Sequence, residues 1–435
     1  MDASVNRLLM ISPYFVPMNY VGAKRTLHFC RHLPPFEWEP AVVALPASME
    51  ADPALATLVP DVPMFRGYRG GPVAWLEDLA ARHRPPRSSP RPCPKRSPRG
   101  KTSDGWLDAV RSAADRYARY LPWALGGALS LAATTGARAV YVSAGPYSGL
   151  ELGYAVSRIL KLPLFVDLRD PWALEENLQA ARTPRAQRLV AASERRIFSH
   201  AAGIILNTES ALGAYRIAYA CTPAAERMAC VRNAFDPELY CEPASPPSDR
   251  EPFRIGYYGH LRANKDAVLF LEGLARFIGS AGLHPTDVEL LTFGERTPQD
   301  EEAIARFGLG DAVMTHPWVP FPECPAVLGR CHLLLDLMGP RHGLQISGKF
   351  YDYLACGRRI LSISPNRELD AIYATTGAGR RVDNTVEAIA DALAAEWHRR
   401  SATPAVDPVR LAPFTAAAAT RRLVRVIEQG APCPS

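Results

Sequence analysis

The chain lacks any apolar run long enough to cross a bilayer. The nearest, PWALGGALSLAATTGA at 122–137, is split by Gly126-Gly127 and diluted with Ser and Thr. A membrane helix requires about 20 largely apolar residues in succession. The opening MDASVNRLLMISPYF ends its short apolar run at Pro13, so it reads as a buried strand and not a secretory signal. Cysteine supplies no framework. Its nine residues are odd in number, scattered from Cys30 to Cys433, and contain no C-x-x-C or tight Cys/His cluster. A disulfide scaffold and a zinc site are thereby excluded, and reduced thiols in the cytoplasm are expected. The ten histidines are read as forming no metal-ligand cluster, and no metal site is assigned.

Acid is missing from one stretch altogether. RHRPPRSSPRPCPKRSPRGK, residues 82–101, carries six Arg and two Lys, while the whole chain has a net charge of +6. The remainder is therefore slightly acidic, so a general nucleic-acid surface is not supported, and no nucleic-acid partner is expected. Residues 82–103 read as a disordered basic loop. WLDAVRSAADRYARYL (106–121) then places Trp106, Val110, Ala113, Tyr117 and Leu121 on one face, predicting a single amphipathic helix. Two readings stand for 82–121: a solvated loop with a helix packed on its domain, or a segment drawn to an anionic membrane surface.

What is present in abundance is alternation of buried strand and helix. At 435 residues with 48% hydrophobic content, the chain is too long for one ordinary core and predicts two domains. RLLMIS (7–12), AVVAL (41–45), ARAVYVSA (137–144), LPLFVDL (162–168) and AAGIILNT (201–208) are continuous apolar runs. Such runs suit a parallel sheet covered on both faces. EPASPPSDREP (242–252) is rich in turn residues and marks the boundary. Beyond it FRIGYYG (253–259), VELLTFG (288–294), AVMTHPWV (312–319), CHLLLDLM (331–338) and RILSIS (359–364) repeat the pattern. The expected division is 1–241, then 252–408, then a C-terminal helix and tail over 409–435.

GLQISGKF (343–350) matches the phosphate-loop pattern G-x-x-x-x-G-K, but Phe350 stands where a metal-holding Ser or Thr is required. Two readings remain. In one, Ser347 simply caps a helix that begins at Gly348 and stops at Gly357, with Lys349 and Asp352 a solvated i, i+3 pair. In the other, the helix N-terminus and Lys349 hold a diphosphate, and Asp352 accepts hydrogen bonds from a ribose. DLRDPW (167–172) puts Asp167, Arg169 and Asp170 at the C-terminal end of a strand, where α/β sheets bind ligands; an Asp–Arg pair tying a loop is the alternative. Gly22 and Arg25 open the first helix, and Gly22 allows close backbone approach.

ISGKFYDYLACGRRIL resembles a segment of a branch of retaining glycosyltransferases in family 4. So do SPYFVPMNYVGAKRTLHFCRHLPPFEWEPAVVAL (12–45), VSAGPYSGLELG (142–153), LPLFVDLRDPW (162–172) and VRNAFDPELY (231–240), in family order across most of the chain. The resemblance implies an α/β fold of GT-B type, two Rossmann-like domains facing across a cleft, with the C-terminal helix crossing back to the N-terminal domain. It implies transfer of a sugar with retention from a UDP- or GDP-linked donor, without metal, and the missing D-x-D motif agrees with that. The acceptor would be a glycan, a lipid-linked glycan or a small molecule, in bacterial polysaccharide synthesis at the inner face of the membrane. It assigns His260, Arg262, Lys265, Ser347, Gly348, Lys349, Asp352, Gly22 and Arg25 to the donor, and Asp167, Arg169 and Asp170 to the reacting centre. The sequence departs from the family at His260, which stands at an Arg position, and at Leu344, which stands at a Glu position. A nucleotide-sugar epimerase or hydrolase, or a non-catalytic partner of the same fold, is the alternative.

Overall fold

The computed structural model describes residues 6–47, 51–82, 106–245, 247–248, 250–259, 261, 267–294, 296–401 and 406–430. They fall into two units. Unit 1 comprises residues up to Leu206 together with Tyr215–Cys230 and Leu423 onward, and unit 2 comprises Asn207–Ala214 and Val231–Arg422.

Unit 1 is built on strands β1 (Asn6–Ile11), β2 (Trp38–Val43), β3 (Met64–Phe65), β4 (Ala137–Ser143), β5 (Leu164–Leu168), β6 (Gly203–Leu206) and β7 (Met228–Cys230). They form one sheet in the order β3-β2-β1-β4-β5-β6-β7, every neighbouring pair parallel. Leu8, Leu9, Met10 and Ile11 are fully buried, as are Val140, Tyr141, Val142, Phe165 and Val166. These strands are hydrophobic on both faces because helices cover both. Helices α1 (Val21–His32), α4 (Leu121–Thr135) and α5 (Ser148–Leu160) are among those that cover the sheet, and α2 (Gly71–Arg82) and α3 (Trp106–Ala113) pack against other helical elements of the unit. Helix α1 gives way at Leu33 to a 3-10 turn through Pro34 and Pro35, which cannot continue an α-helix.

Unit 2 contains β8 (Phe253–Tyr257), β9 (Val288–Phe293), β10 (Val313–His316), β11 (Leu333–Leu337), β12 (Arg359–Ile363) and β13 (Gly379–Val382). Their order is β10-β9-β8-β11-β12-β13, again all parallel. Its core joins Ile255, Leu335 and Leu361 of the sheet to Phe270, Leu274 and Phe277 of the Ala267–Ser280 helix. The turn-rich 242–252 stretch is tied into this unit near its start. Cys241 N and Ala244 N donate to Pro322 O and Pro325 O at 3.0 and 3.2 Å, and Arg358 Nη2 donates to Ala244 O at 2.7 Å. The last helix, Ala416–Gly430, begins in unit 2 and ends in unit 1.

Two local expectations are corrected. The single helix over 106–121 is broken: α3 ends at Ala113, and α4 starts at Leu121 after a 3-10 turn. Asp115 is the cause, since its carboxylate accepts from the backbone N–H of Tyr117 at 2.9 Å and of Ser148 at 2.7 Å. A side chain that bonds the backbone locally competes with the helix ladder. The strand expected over 312–319 stops at His316, because Pro317 has no N–H to donate. Among the described residues no helix is long and apolar enough to cross a membrane.

Candidate functional site

In unit 2 the helix Gly348–Ala355 starts where its sequence predicts. Ser347 caps it: Oγ accepts from Phe350 N at 3.2 Å and donates to Asp336 Oδ1 at 2.5 Å. Asp336 is on β11, and its other oxygen accepts from Ser362 Oγ of β12 at 3.2 Å. These two residues are register partners in the sheet, so the cap is fastened to two neighbouring strands. The chain leading into it is held too. Leu344 O accepts from Thr208 Oγ1 at 2.7 Å and Gln345 O from Asn366 Nδ2 at 3.1 Å. Phe350 is fully buried, edge-on to Tyr373 at 5.7 Å, which anchors the helix in its unit.

With Ser347 occupied by Phe350 N, the amides of Gly348 and Lys349 have no acceptor within the helix. They carry the partial positive charge of the helix start. Lys349 adds a full charge. Its Nζ stands 4.0 Å from the centroid of the Tyr257 ring, a cation–π contact that carries it to the end of β8. Gly259 follows there with φ +142, and a Cβ on it would lie 2.5 Å from Lys349 Nζ. A side chain at 259 would thus be strained and would push the ammonium away. His260, Arg262 and Lys265 lie outside the described residues.

Asp352 is not the solvated partner of Lys349. It is 1% exposed, and its Oδ1 accepts from the hydroxyl of Tyr240 at 2.5 Å. Burial pushes the Tyr240 hydroxyl well above its usual range, and the Asp352 charge adds to this, so the proton stays on the tyrosine. The helix therefore presents its positive end and the Lys349 ammonium at its start, and a buried carboxylate one turn on.

In unit 1, four of the predicted residues form one cluster. Arg25 on α1 makes a two-pronged pair with Asp167 on β5, Nε to Oδ2 at 2.6 Å and Nη2 to Oδ1 at 3.1 Å. Tyr141 on β4 donates its hydroxyl to the same carboxylate. Burial opposes the charge on Arg25, but Asp167 and the Tyr141 oxygen outweigh it and the guanidinium is held more firmly protonated than usual. Burial, then Asp167, pushes the Tyr141 hydroxyl well up. Arg169 lies across Gly22, where a Cβ would fall 1.5 Å from Nη1. Its Nε donates to Ala144 O at 2.7 Å and its Nη2 donates to Gly145 O. Asp170, by contrast, is exposed.

Arg169 and Asp170 open on a cavity of about 790 Å³ that lies wholly within unit 1, inside the range of small-molecule pockets. One wall is Tyr147 stacked on Trp172, ring centroids 5.3 Å apart and planes within 8°; the Tyr147 hydroxyl donates to Pro171 O at 2.9 Å. Sequence reasoning missed Asp336, Tyr240, Tyr141 and this cavity. Asp336 did carry a signal: it is the one charged residue in LLLDL, and an acid inside a buried strand needs partners. Tyr240 and Tyr141 carried none, because a tyrosine in an apolar run reads as core.

No protein-family model and no curated protein sequence matches the chain. Solved structures do. Sucrose-phosphate synthase from Thermosynechococcus elongatus superposes with TM-score 0.67 at 14% identity, over 98% of both chains. The UDP-forming α,α-trehalose-phosphate synthase of Burkholderia xenovorans gives 0.62 at 11% identity, over 97% of this chain and 100% of its own. UDP-GlcNAc 2-epimerase from Methanocaldococcus jannaschii gives 0.52 at 10%, over 97% and 99%. With two Rossmann-like parallel sheets and these whole-chain similarities, the chain has the α/β GT-B fold.

Proposed function

We propose that the protein is a glycosyltransferase that moves a sugar from a nucleoside-diphosphate donor to an acceptor hydroxyl, with retention and without metal. The observation that carries this reading is the capped helix start of unit 2, with Lys349 folded over Tyr257 beside Gly259, in a chain of GT-B fold. In the reaction the bond from the sugar's anomeric carbon to the diphosphate oxygen breaks. A bond to the acceptor oxygen forms, and the acceptor proton leaves with the nucleoside diphosphate. The Gly348 and Lys349 amides and the Lys349 ammonium supply the positive charge that stabilises the departing diphosphate, together with Arg262 and Lys265. Asp352 meets the ribose hydroxyls once Tyr240 yields its place.

Unit 1 takes the acceptor. Asp170, exposed at the cavity, is the carboxylate that can steer or accept from its hydroxyl. Asp167 and Arg25 hold α1 against β5, and Gly22 and Arg169 set the backbone at Ala144 and Gly145; we assign these four to positioning. Retention, UDP or GDP as the base, a polysaccharide setting and contact with an anionic membrane are parts of the same proposal. The last is supported by α2, whose Trp75, Leu76 and Leu79 are 63, 57 and 38% exposed directly before the basic run. The test is incubation of the purified protein with UDP- and GDP-sugars. Release of nucleoside diphosphate that rises with an added acceptor supports transfer, whereas epimerised donor or no donor binding at all sinks it.

A further inference from the structure

The cavity of unit 1 carries more positive charge than its neighbours compensate. Arg111, Arg116, Arg169 and Arg182 line it, against Asp115, Glu151 and Asp170. Glu151 is already neutralised by Arg196 at 2.5 Å. Asp115 spends its two oxygens on the amides of Tyr117 and Ser148. Arg169 is held by two backbone carbonyls. Arg111, Arg116 and Arg182 have no carboxylate within ion-pair distance among the described residues. Arg116 instead donates to the Tyr117 hydroxyl at 2.5 Å and lies over that ring, 4.7 Å from its centroid.

Two buried donors reinforce the point. Nη1 of Arg182 and Nε1 of Trp172 are shielded from solvent and have no hydrogen-bond partner, although Trp172 is only 4% exposed and both residues line the cavity. Burial lowers the pKa of Arg182, so its charge is held there at a cost that nearby acids only partly offset. An unsatisfied buried donor is destabilising by about 1–3 kcal/mol and calls for an explanation. An anionic ligand group in the cavity supplies Arg182 Nη1 with an acceptor, and Arg116 lines the same cavity.

We propose that this cavity is the acceptor subsite and that its acceptor carries a phosphate monoester, held by Arg116 and Arg182, with its remaining body against Tyr147 and Trp172. This rests on the glycosyltransferase reading and names the class of substrate for it. The guanidiniums of Arg116 and Arg182 together match a group of charge near −2, and the guanidinium fork suits phosphate oxygens. A carboxylate would leave one of them unmet. The phosphate could belong to a free sugar phosphate or to a polyprenyl phosphate carrier, and the two are separable by experiment.

Calorimetric titration of the full chain with inorganic phosphate, glucose 6-phosphate, glucose, glucuronate and a short polyprenyl phosphate in detergent tests this, with UDP and GDP titrated alongside. At least one phosphate monoester should bind about tenfold or more tighter than glucose and glucuronate. Arg182→Gln and Arg116→Gln should each weaken it about tenfold, with part of the affinity restored in Arg182→Lys. Preference for glucose 6-phosphate or for polyprenyl phosphate identifies the source. Equal binding of phosphorylated and neutral ligands overturns the proposal. So does failure of every phosphate to bind, or an Arg116→Gln/Arg182→Gln double variant that binds phosphate as the native protein does. Absence of UDP and GDP binding with the arginine-dependent phosphate binding intact would instead contradict the donor reading alone.

Discussion

Substitution of Asp167 by Ala separates a positioning role from a chemical one. The Arg25–Asp167 side chains are 4 and 0% exposed and meet through two hydrogen bonds, with Tyr141 as a third partner. Asp167→Ala removes the carboxylate that pairs with the buried Arg25 guanidinium and accepts from the Tyr141 hydroxyl. Breaking one side of a buried pair costs about 3–5 kcal/mol. For a unit of about 200 residues, each kcal/mol lowers the melting temperature by about 2–4 °C, so a fall of about 6–20 °C is expected. Removing both partners behaves differently, because no charge is left stranded. Arg25→Met/Asp167→Leu should recover most of the loss. Calorimetric unfolding of the native chain, Arg25→Met, Asp167→Leu and the double variant gives the coupling directly. If Asp167→Ala melted at the native temperature, or the double variant were as unstable as the sum of the singles, the buried-pair account would be refuted.

Further outcomes are specific. Gly22→Ala should displace the Arg169 guanidinium, which sits 1.5 Å from the new methyl position, and should weaken acceptor binding with nucleotide binding unchanged in titrations. Lys349→Met should weaken UDP or GDP binding about tenfold or more, the loss of a charge-assisted contact, without lowering the melting temperature by more than about 2 °C. Tyr240→Phe should remove the hydroxyl that occupies Asp352 Oδ1 and shift donor affinity, where unchanged affinity would place Asp352 outside the donor site. His332 accepts from Arg254 N at Nδ1, 3.0 Å, and faces Ser248 O through Nε2 at 3.2 Å, an arrangement open only to the neutral ring. Burial lowers its pKa from 6.5, and the Arg254 charge adds to this. The folded state therefore binds fewer protons than the unfolded one, and the stability from the neutral ring, full above pH 6.5, is lost as pH falls through the lowered pKa. Melting curves from pH 8 to pH 5 should drop less steeply for His332→Asn than for the native chain.

The strands that build both sheets were legible because a parallel sheet covered on two faces demands continuous apolar runs, as in RLLMI and CHLLLDL. The strands that were not legible are short or polar edges. Met64–Phe65 and Met228–Cys230 have two and three residues, and GRRV of β13 carries two arginines. Local side-chain chemistry hid the break at Asp115, since periodicity alone continued α3 through Tyr117. The phosphate-type helix start was legible down to its capping serine. What lies beneath it was not: Asp336 reaches Ser347 across 11 residues, and Tyr240 reaches Asp352 across 112. The cavity in unit 1 collects Arg116 from the loop after α3 and Arg182 from the turn before the Pro184–His200 helix. Only the folded chain brings them together, and single surface arginines carry no such signal.

The central claim is that this fold moves a sugar from a nucleoside diphosphate to an acceptor hydroxyl. Following nucleoside diphosphate release from UDP- and GDP-sugars, with and without a phosphorylated sugar acceptor, tests it most directly. The account predicts release that depends on the acceptor, yields a glycosylated product by mass, and is lost in Lys349→Met. Acceptor-independent release, or a donor isomer as the only product, would contradict it.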